Sequence, residues 1–250
     1  MTILITGATS GFGKAIALKF AAEGHHCIIT GRREDRLEEV TNELAQHKVD
    51  VLPLALDVRD RTAVEDTLAN LEERWQAIDV LVNNAGLALG RDSFEHADVD
   101  DWDTMIDTNV KGLLYMSKAV LPYFIKNKTG HIINIGSTAG KEVYKEGNVY
   151  CASKFAVNAI SQAQRIDLLP YGIKVTCINP GAAETEFSQV RFKGDEQKAS
   201  VVYQGFQPLQ AGDIADVVYY CSTLPKHVCI NDLVMTSLAQ ANSFYTFKQQ

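Results

Sequence analysis

The chain has 250 residues, a formal net charge of −7 and a hydrophobic fraction of 46%. The length and apolar content suit one large domain with a substantial core, and the acidic balance argues against nucleic acid as a partner, because nucleic-acid-binding proteins usually carry a basic surface. No apolar run approaches the ~20 residues that cross a bilayer, and the first residues lack the pattern of a signal peptide, so we predict no membrane partner.

The first half of the sequence alternates short apolar runs with longer amphipathic stretches. This alternation predicts parallel strands joined by right-handed helical crossovers. The strand segments are apolar at successive positions, which is typical of a sheet covered by helices on both faces. The predicted strands span 3–5, 27–30, 51–56 and 80–82, and the predicted helices between them span 12–22, 36–44 and 64–75.

The second half continues the pattern and adds a long irregular stretch. The predicted helices span 102–127, 149–169 and 214–221, and the predicted strands span 132–135, 175–178 and part of 228–235. We predict that the charged segment 182–210 forms a lid, because long irregular segments in compact domains often cover binding sites. No repeat or linker is visible. Residues 1–250 are therefore predicted to form a single α/β domain, a Rossmann-like doubly wound parallel sheet flanked by helices on both faces.

The cysteines and histidines indicate neither disulfides nor a metal site. The five cysteines are odd in number and show no CxxC spacing, so we predict free thiols and a reducing cytoplasm. The histidines lack the spacing of metal ligands, and no metal is predicted.

The turn after the first strand is rich in glycine and reads TGATSGFG over residues 6–13. It follows a strand and opens a helix, which is where the pyrophosphate of a dinucleotide binds to the free N–H groups of a helix N-terminus. The spacing is GxxxGxG rather than the common GxGxxG, and a purely structural turn is the alternative. The surrounding strand–helix–strand context favours a dinucleotide site.

The end of the second strand predicts which dinucleotide is bound. An acidic residue there would hydrogen-bond a ribose 2′-hydroxyl, but this strand ends on Arg32 and Arg33. An arginine can hold a 2′-phosphate through its fork of N–H donors, so we predict NADP, with Arg32 the stronger candidate. The alternative is that both arginines belong to a solvated helix start, since acidic residues follow them.

Tyr150 and Lys154 are four residues apart in a predicted helix, so their side chains share one face. A nearby ammonium lowers the pKa of a phenol, which would prepare Tyr150 for proton transfer. This pair alone is weak evidence, but Ser137 follows the strand before that helix, and NNAG at 83–86 follows another strand. Because ligands bind at the carboxyl ends of parallel strands, these groups are expected to converge in one crevice.

With these residues in place, the sequence resembles the short-chain dehydrogenase/reductase family over essentially its whole length. TGATSGFG corresponds to the family's cofactor loop and NNAG to its fourth-strand motif. The family's catalytic serine and YxxxK pair correspond to Ser137, Tyr150 and Lys154, its helix asparagine to Asn109, and its PGxxxT motif to Pro180, Gly181 and Thr185.

The resemblance implies a role for each of these residues. Tyr150 would be the general acid and base, Lys154 would lower its pKa and hold the nicotinamide ribose, and Ser137 would orient the substrate oxygen. Asn109 would support a water in a proton relay. The cofactor would be held by Gly7, Thr9, Ser10, Gly11, Phe12, Gly13, Asp57, Val58, Asn83, Ala85, Gly86, Pro180, Gly181 and Thr185, together with the two arginines and the YxxxK pair.

A narrower resemblance suggests the substrate. Segments 86–90, 102–109, 186–195 and 222–225 are similar to NADP-dependent 3-hydroxy acid dehydrogenases, which act on L-serine, L-allo-threonine and related acids. A carboxylate needs a cationic partner, and Arg191 in the predicted lid could clamp it, although a solvated loop charge is the alternative. Segment 141–146 is more charged than in those enzymes, which leaves the substrate preference open.

Two other functions stay open at this stage. One is an NADPH-dependent carbonyl or 3-oxoacyl reductase of the same family, and substrate profiling separates it from a hydroxy acid dehydrogenase. The other is an NADP-binding redox sensor without catalysis, which would not need the YxxxK pair. The resemblance also implies a homotetramer built on the long helices that follow the fourth and fifth strands.

Overall fold

The structure, a computed structural model, describes residues 1–248 apart from the side chains of Glu196 and Ala199. The last two residues of the predicted 1–250 domain lie outside this range. Within it, no helix is long and apolar enough to cross a bilayer.

A seven-stranded sheet in the order β3-β2-β1-β4-β5-β6-β7 forms the centre of the fold. Every neighbouring pair of strands is parallel. The chain winds outward in one direction from β1 to β3 and in the other from β4 to β7, which confirms the predicted doubly wound sheet and opens a crevice at its carboxyl edge. The strands are β1 Thr2–Ile5, β2 His26–Gly31, β3 Val51–Ala55, β4 Val80–Asn83, β5 Gly130–Ile135, β6 Ile173–Pro180 and β7 Asp232–Met235.

Helices connect these strands and cover the two faces of the sheet. They are α1 Gly11–Ala22, α2 Glu34–Ala45, α3 Arg61–Ala69, α4 Val99–Ile106, α5 Leu113–Asn127, α6 Asn148–Leu168, α7 Phe187–Arg191, α8 Glu196–Val201 and α9 Ala211–Thr223.

The core consists of two apolar layers, one on each face of the sheet. Along β1, Ile3 and Ile5 point into the layer shared with α1, α2 and α9, whereas Leu4 points into the layer shared with α3 and α5. All three side chains are fully buried. Because successive strand residues face opposite sides, a strand covered on both faces must be apolar at every position, as the sequence pattern indicated.

Two helix predictions are wrong in detail. The helix predicted over 64–75 ends at Ala69, where the Asn70 side chain donates a hydrogen bond to the Asp66 carbonyl, and Trp75 instead lies in a separate 3₁₀ turn. The helix predicted over 102–127 begins earlier, at Val99, and is interrupted by a π-helical turn at Asp107–Gly112. Single π turns inside helices are frequent at functional sites, and this one carries Asn109.

The predictions for the last part of the chain also need correction. Segment 182–210 is not wholly irregular, since it contains the short helices α7 and α8. The final strand is confined to Asp232–Met235, because only these residues pair with β6.

Candidate active site

A cavity of about 860 Å³ lies along the carboxyl edge of the sheet, where the strand order reverses. The volume is within the range of small-molecule and cofactor sites. Its wall combines the glycine-rich turn, the ends of β2, β4, β5 and β6, the start of α6, and α7.

The backbone of the glycine-rich turn packs closely against the start of α1 and against Asn84 and Ala85, which follow β4. Gly7 has φ of +66°, and a Cβ on Gly13 would lie 2.3 Å from the Gly7 carbonyl oxygen, so neither position tolerates a side chain. Gly13 lies behind the turn rather than in the cavity wall, whereas five of the other predicted residues line the cavity: Gly7, Thr9, Ser10, Gly11 and Phe12. The Asn84 side chain fixes the turn by donating to the carbonyls of Thr6 and Gly7.

The N-terminus of α1 is prepared for an anion. Ser10 occupies the N-cap position, but its side chain makes no capping hydrogen bond, and no acidic residue lies in the first turn. Free N–H groups and the positive end of the helix dipole therefore face the cavity. Thr108 also lines this cavity, and its buried Oγ1 has no hydrogen-bond partner among the described residues. Together the turn, the uncapped helix and this orphaned hydroxyl fit a dinucleotide.

The two arginines at the end of β2 lie in different surroundings. Arg33 Nη2 donates to Thr9 Oγ1 at 3.0 Å and Ser10 Oγ at 3.3 Å, and it reaches Glu186 at 3.4 Å. Arg32 is the more exposed, and among the described side chains its one ion-pair contact is with Asp57, at 3.9 Å. Both line the cavity, so both can reach an anionic group bound beside the glycine-rich turn.

The remaining predicted cofactor residues divide into those that line the cavity and one that does not. Asn83 lies behind the wall, where its amide donates to Ser117 Oγ and Asn134 Oδ1, both at 2.9 Å. The predicted residues that line the cavity are Asp57, Val58, Ala85, Gly86, Pro180, Gly181 and Thr185.

Tyr150 and Lys154 lie one turn apart on α6 and face the cavity together. The Lys154 ammonium is 5.9 Å from the centroid of the Tyr150 ring and donates to the Ile135 carbonyl at 2.9 Å. Burial lowers the pKa of Lys154 to about 8. Helical spacing and the edge of β5 together set the position of this pair.

Burial is the main influence on the electrostatics of Tyr150. Burial raises the pKa of the Tyr150 phenol, and the neighbouring Ser137 hydroxyl and the charge of Arg191 oppose this shift only in part. The Lys154 ammonium beside this ring is itself desolvated and donates to the Ile135 carbonyl.

Ser137 and Asn109 both form hydrogen bonds with backbone groups near this pair. Ser137 lines the cavity directly after β5, and its Oγ accepts a hydrogen bond from the Ala139 N–H at 3.1 Å. Asn109 does not line the cavity; its amide bonds the N–H and the carbonyl of Leu87, each at 2.8 Å, and also Ser153 Oγ. The Asn109 side chain thus fixes the chain beyond the NNAG motif.

Arg191 lies at the end of α7, beside Tyr150 in the cavity wall. Its guanidinium carbon is 5.6 Å from the ring centroids of both Tyr144 and Tyr150. Its Nε donates to the Gly90 carbonyl at 3.3 Å, and no salt bridge joins it to a carboxylate among the described side chains. Lys193 lies outside this cavity and is paired with Asp101 at 2.9 Å.

Sequence reasoning missed several residues of the cavity wall. Tyr144 is held against Arg191, and burial raises the pKa of its phenol. The C-terminal residues Gln240, Ser243 and Phe244 also line the cavity, and Gln240 accepts a hydrogen bond from the Ala182 N–H at 2.7 Å. Chain order gives no signal for this contact, whereas the unusual charge of segment 141–146 could have indicated Tyr144.

Comparison with known protein sequences places this site among dehydrogenases. The pattern of the short chain dehydrogenase family matches residues 1–196. The NADP-dependent 3-hydroxy acid dehydrogenase YdfG of Escherichia coli K12 is 51% identical over 243 residues, which cover 96% of each chain. Sulfoacetaldehyde reductase 2 of Chromohalobacter salexigens is 46% identical over 244 residues, which cover 97% of this chain and 96% of that protein.

Two solved structures of serine dehydrogenase are similar to this chain over nearly its whole length. The closed form of serine dehydrogenase complexed with NADP⁺ superposes with a TM-score of 0.94 at 49% identity, and the match covers 100% of both chains. Serine dehydrogenase from Escherichia coli superposes with a TM-score of 0.83 at 45% identity, covering 96% of this chain and 100% of that one.

Proposed function

This chain belongs to the short-chain dehydrogenase/reductase family and is an NADP-dependent oxidoreductase, and from that premise we propose that it oxidises the hydroxyl group of small 3-hydroxy acids such as L-serine, L-allo-threonine and 3-hydroxypropionate. The single observation that carries the proposal is the position of Arg191. Its guanidinium lies 5.6 Å from the Tyr150 ring centroid, without a carboxylate partner among the described side chains. A cation beside the reactive phenol suits a substrate whose carboxylate is close to its hydroxyl group.

Tyr150 is the proposed general base. Its phenolate removes the proton of the substrate hydroxyl, and in the reverse direction its phenol returns that proton. Ser137 donates a hydrogen bond to the same substrate oxygen, which keeps it facing Tyr150. Arg191 binds the carboxylate, and this positions the carbon that bears the hydroxyl. When bound, NADP⁺ supplies the hydride acceptor.

Lys154 and Asn109 are proposed to support this proton transfer. The Lys154 ammonium, 5.9 Å from the Tyr150 ring centroid, favours the phenolate through its charge, and it would donate to the nicotinamide ribose of a bound NADP. The Asn109 amide is occupied by Leu87 and Ser153. A role in a proton relay therefore falls to the Asn109 main-chain carbonyl within the π-helical turn.

The test of the proposed substrate is a turnover assay on the purified protein. NADP⁺ is paired with L-serine, L-allo-threonine, 3-hydroxypropionate and a neutral secondary alcohol, and the expected result is NADPH formation with the acids at the highest kcat/KM. The runner-up is a carbonyl reductase, which the 46% identity to sulfoacetaldehyde reductase 2 favours. Failure with every hydroxy acid, together with rapid NADPH oxidation by sulfoacetaldehyde or a 3-oxoacyl thioester, would replace the first proposal by the second.

Selection of NADP is proposed to depend mainly on Arg32. We expect Arg32→Met to raise KM for NADP⁺ about tenfold or more and to leave KM for NAD⁺ within about twofold, because one charge-assisted hydrogen bond contributes about 1.5–3 kcal/mol. Arg33→Met is the matched comparison. Arg33 is already engaged with Thr9, Ser10 and Glu186, so its loss should cost less. A larger effect from Arg33→Met would reverse the two roles.

We also propose that the protein is a cytoplasmic homotetramer. Apolar side chains exposed on the outer surfaces of α5 and α6 support this assembly: Leu114, Ile125, Phe155 and Ile166. Light scattering on the purified protein measures the mass directly, and a monomer would exclude the tetramer.

A further inference from the structure

Asn179, near the end of β6, connects the final strand to the turn that carries Ser137. Its side chain is fully buried. On one side, Asn179 Oδ1 accepts hydrogen bonds from the Ser137 N–H at 3.3 Å and from the Cys177 thiol at 3.6 Å. On the other side, Asn179 Nδ2 donates to Asp232 Oδ1 at 2.6 Å and to the Leu233 carbonyl at 3.4 Å. Donors face the amide oxygen and acceptors face the amide nitrogen, so only one amide orientation satisfies every partner.

Asp232 is connected by hydrogen bonds to both ends of the turn that carries Ser137. Through Asn179, its Oδ1 acts on the Ser137 N–H, where the turn begins. Its Oδ2 accepts a hydrogen bond from Lys141 Nζ at 2.5 Å, directly after the 3₁₀ turn Thr138–Gly140. Lys141 belongs to the charged segment 141–146, and this contact fixes its ammonium group against the edge strand β7.

The packing at Gly136 leaves little freedom in this connection. A Cβ on Gly136 would lie 2.2 Å from Asn179 Oδ1, so the amide lies directly against the backbone that precedes Ser137. If the Asn179 amide rotated by half a turn, its N–H₂ group would face the Ser137 N–H, and two donors would meet without an acceptor. The Ser137 backbone would then have to move.

We propose that Asp232 is a positioning residue for catalysis, which fixes the Asn179 amide and thereby the placement of the Ser137 hydroxyl. The proposal rests on the proposed function, in which Ser137 orients the substrate oxygen. Asp232 lies on the edge strand β7, outside the cavity wall, and acts through its hydrogen bond with Asn179. Because proton and hydride transfer depend on sub-ångström placement, loss of the carboxylate should reduce kcat more than it affects binding.

The test is a double-mutant cycle on the full chain with NADP⁺ and the best hydroxy acid substrate. Asp232→Ala should lower kcat about tenfold, while the Kd for NADP⁺, measured by fluorescence titration, stays within about twofold. In the Ser137→Ala background the same change should lower kcat by less than about twofold, because there is no hydroxyl left to position. Asp232→Asn keeps an oxygen that can accept from Asn179 Nδ2, and it should restore kcat to within about threefold of the wild type.

Lys141→Met is the matched control, because it breaks the same exposed ion pair but leaves the bond between Asp232 and Asn179. It should leave kcat within about threefold, since such ion pairs contribute little. An equal loss of kcat from Asp232→Ala with and without Ser137, or from Lys141→Met, would overturn the positioning role. If Ser137→Ala itself leaves turnover intact, the proposed role of Ser137 fails as well. Thermal melting checks the fold, and Asp232→Ser replaces the alanine variant should that variant not fold.

Discussion

Replacing Tyr150 with phenylalanine should lower kcat for hydroxy acid oxidation by about 1000-fold. The substitution removes one oxygen from a buried ring and leaves the packing against Phe187 intact, with the two ring centroids 5.7 Å apart. General acid–base catalysis contributes about 10²- to 10⁴-fold to rates, and within the described part of the cavity no other base occupies the position of this phenol. Steady-state kinetics with NADP⁺ and L-serine measure the loss.

Two controls distinguish lost proton transfer from lost binding. The Kd of the Tyr150→Phe variant for NADP⁺ should stay within about threefold of the wild-type value. Tyr144→Phe removes the neighbouring phenol hydroxyl and should reduce kcat by about tenfold or less, since Tyr144 contacts Arg191 rather than Lys154.

The pH profile provides a second measurement on Tyr150. Burial raises the pKa of this phenol, so the phenolate fraction, and with it the wild-type rate of oxidation, should increase from neutral to alkaline pH. The Tyr150→Phe variant should lack that increase. A variant that kept both the rate and the pH dependence would assign the proton transfer to another group.

Replacing Arg191 with methionine should raise KM for L-serine by about 10- to 100-fold. A charge-assisted hydrogen bond contributes about 1.5–3 kcal/mol, and each 1.4 kcal/mol is a factor of ten in binding. The guanidinium lies 5.6 Å from the Tyr150 ring centroid, so it can bind a carboxylate close to the reacting hydroxyl. Methionine keeps much of the apolar volume and removes only the charge and the donors.

A neutral secondary alcohol and a neighbouring lysine provide the controls for Arg191. The alcohol has no carboxylate, so its kcat/KM should change by less than about threefold in the Arg191→Met variant. Lys193→Met removes a cation from the same segment 182–210, but Lys193 is paired with Asp101 outside the cavity, and the KM of this variant for L-serine should be unchanged. Equal effects on the acid and the alcohol would show that Arg191 holds this segment in place rather than the carboxylate.

The parallel sheet and the residues of the candidate site could be predicted from local patterns. Apolar runs such as Ile3–Leu4–Ile5 require cover on both faces, and the confirmed parallel sheet provides it. The glycine-rich turn and the YxxxK pair depend on chain positions only a few residues apart. Their spacing is fixed by turn and helix geometry, which is why the structure brings them to the same cavity.

The lengths of several elements could not be predicted, because tertiary contacts set them. The amphipathic pattern over 64–75 continues past Ala69, yet the helix ends there, where the Asn70 side chain donates to the Asp66 carbonyl and Trp75 is buried in the core. The π-helical turn around Asn109 has no local signal. Within it, Asn109 bonds both backbone polar groups of Leu87, a residue distant in the sequence.

The sequence by itself determined the fold class, the family and the candidate catalytic residues, because each depends on periodicity or on motifs a few residues long. Only the tertiary structure determined the pKa shifts of those residues and the side chains that surround them. It showed that burial raises the pKa of Tyr150 and that Lys154 bonds the Ile135 carbonyl. It also placed Tyr144 against Arg191 and Asp232 against Asn179, although each pair comes from separate parts of the chain. Desolvation and long-range contacts exist only once the chain has folded, and no local pattern encodes them.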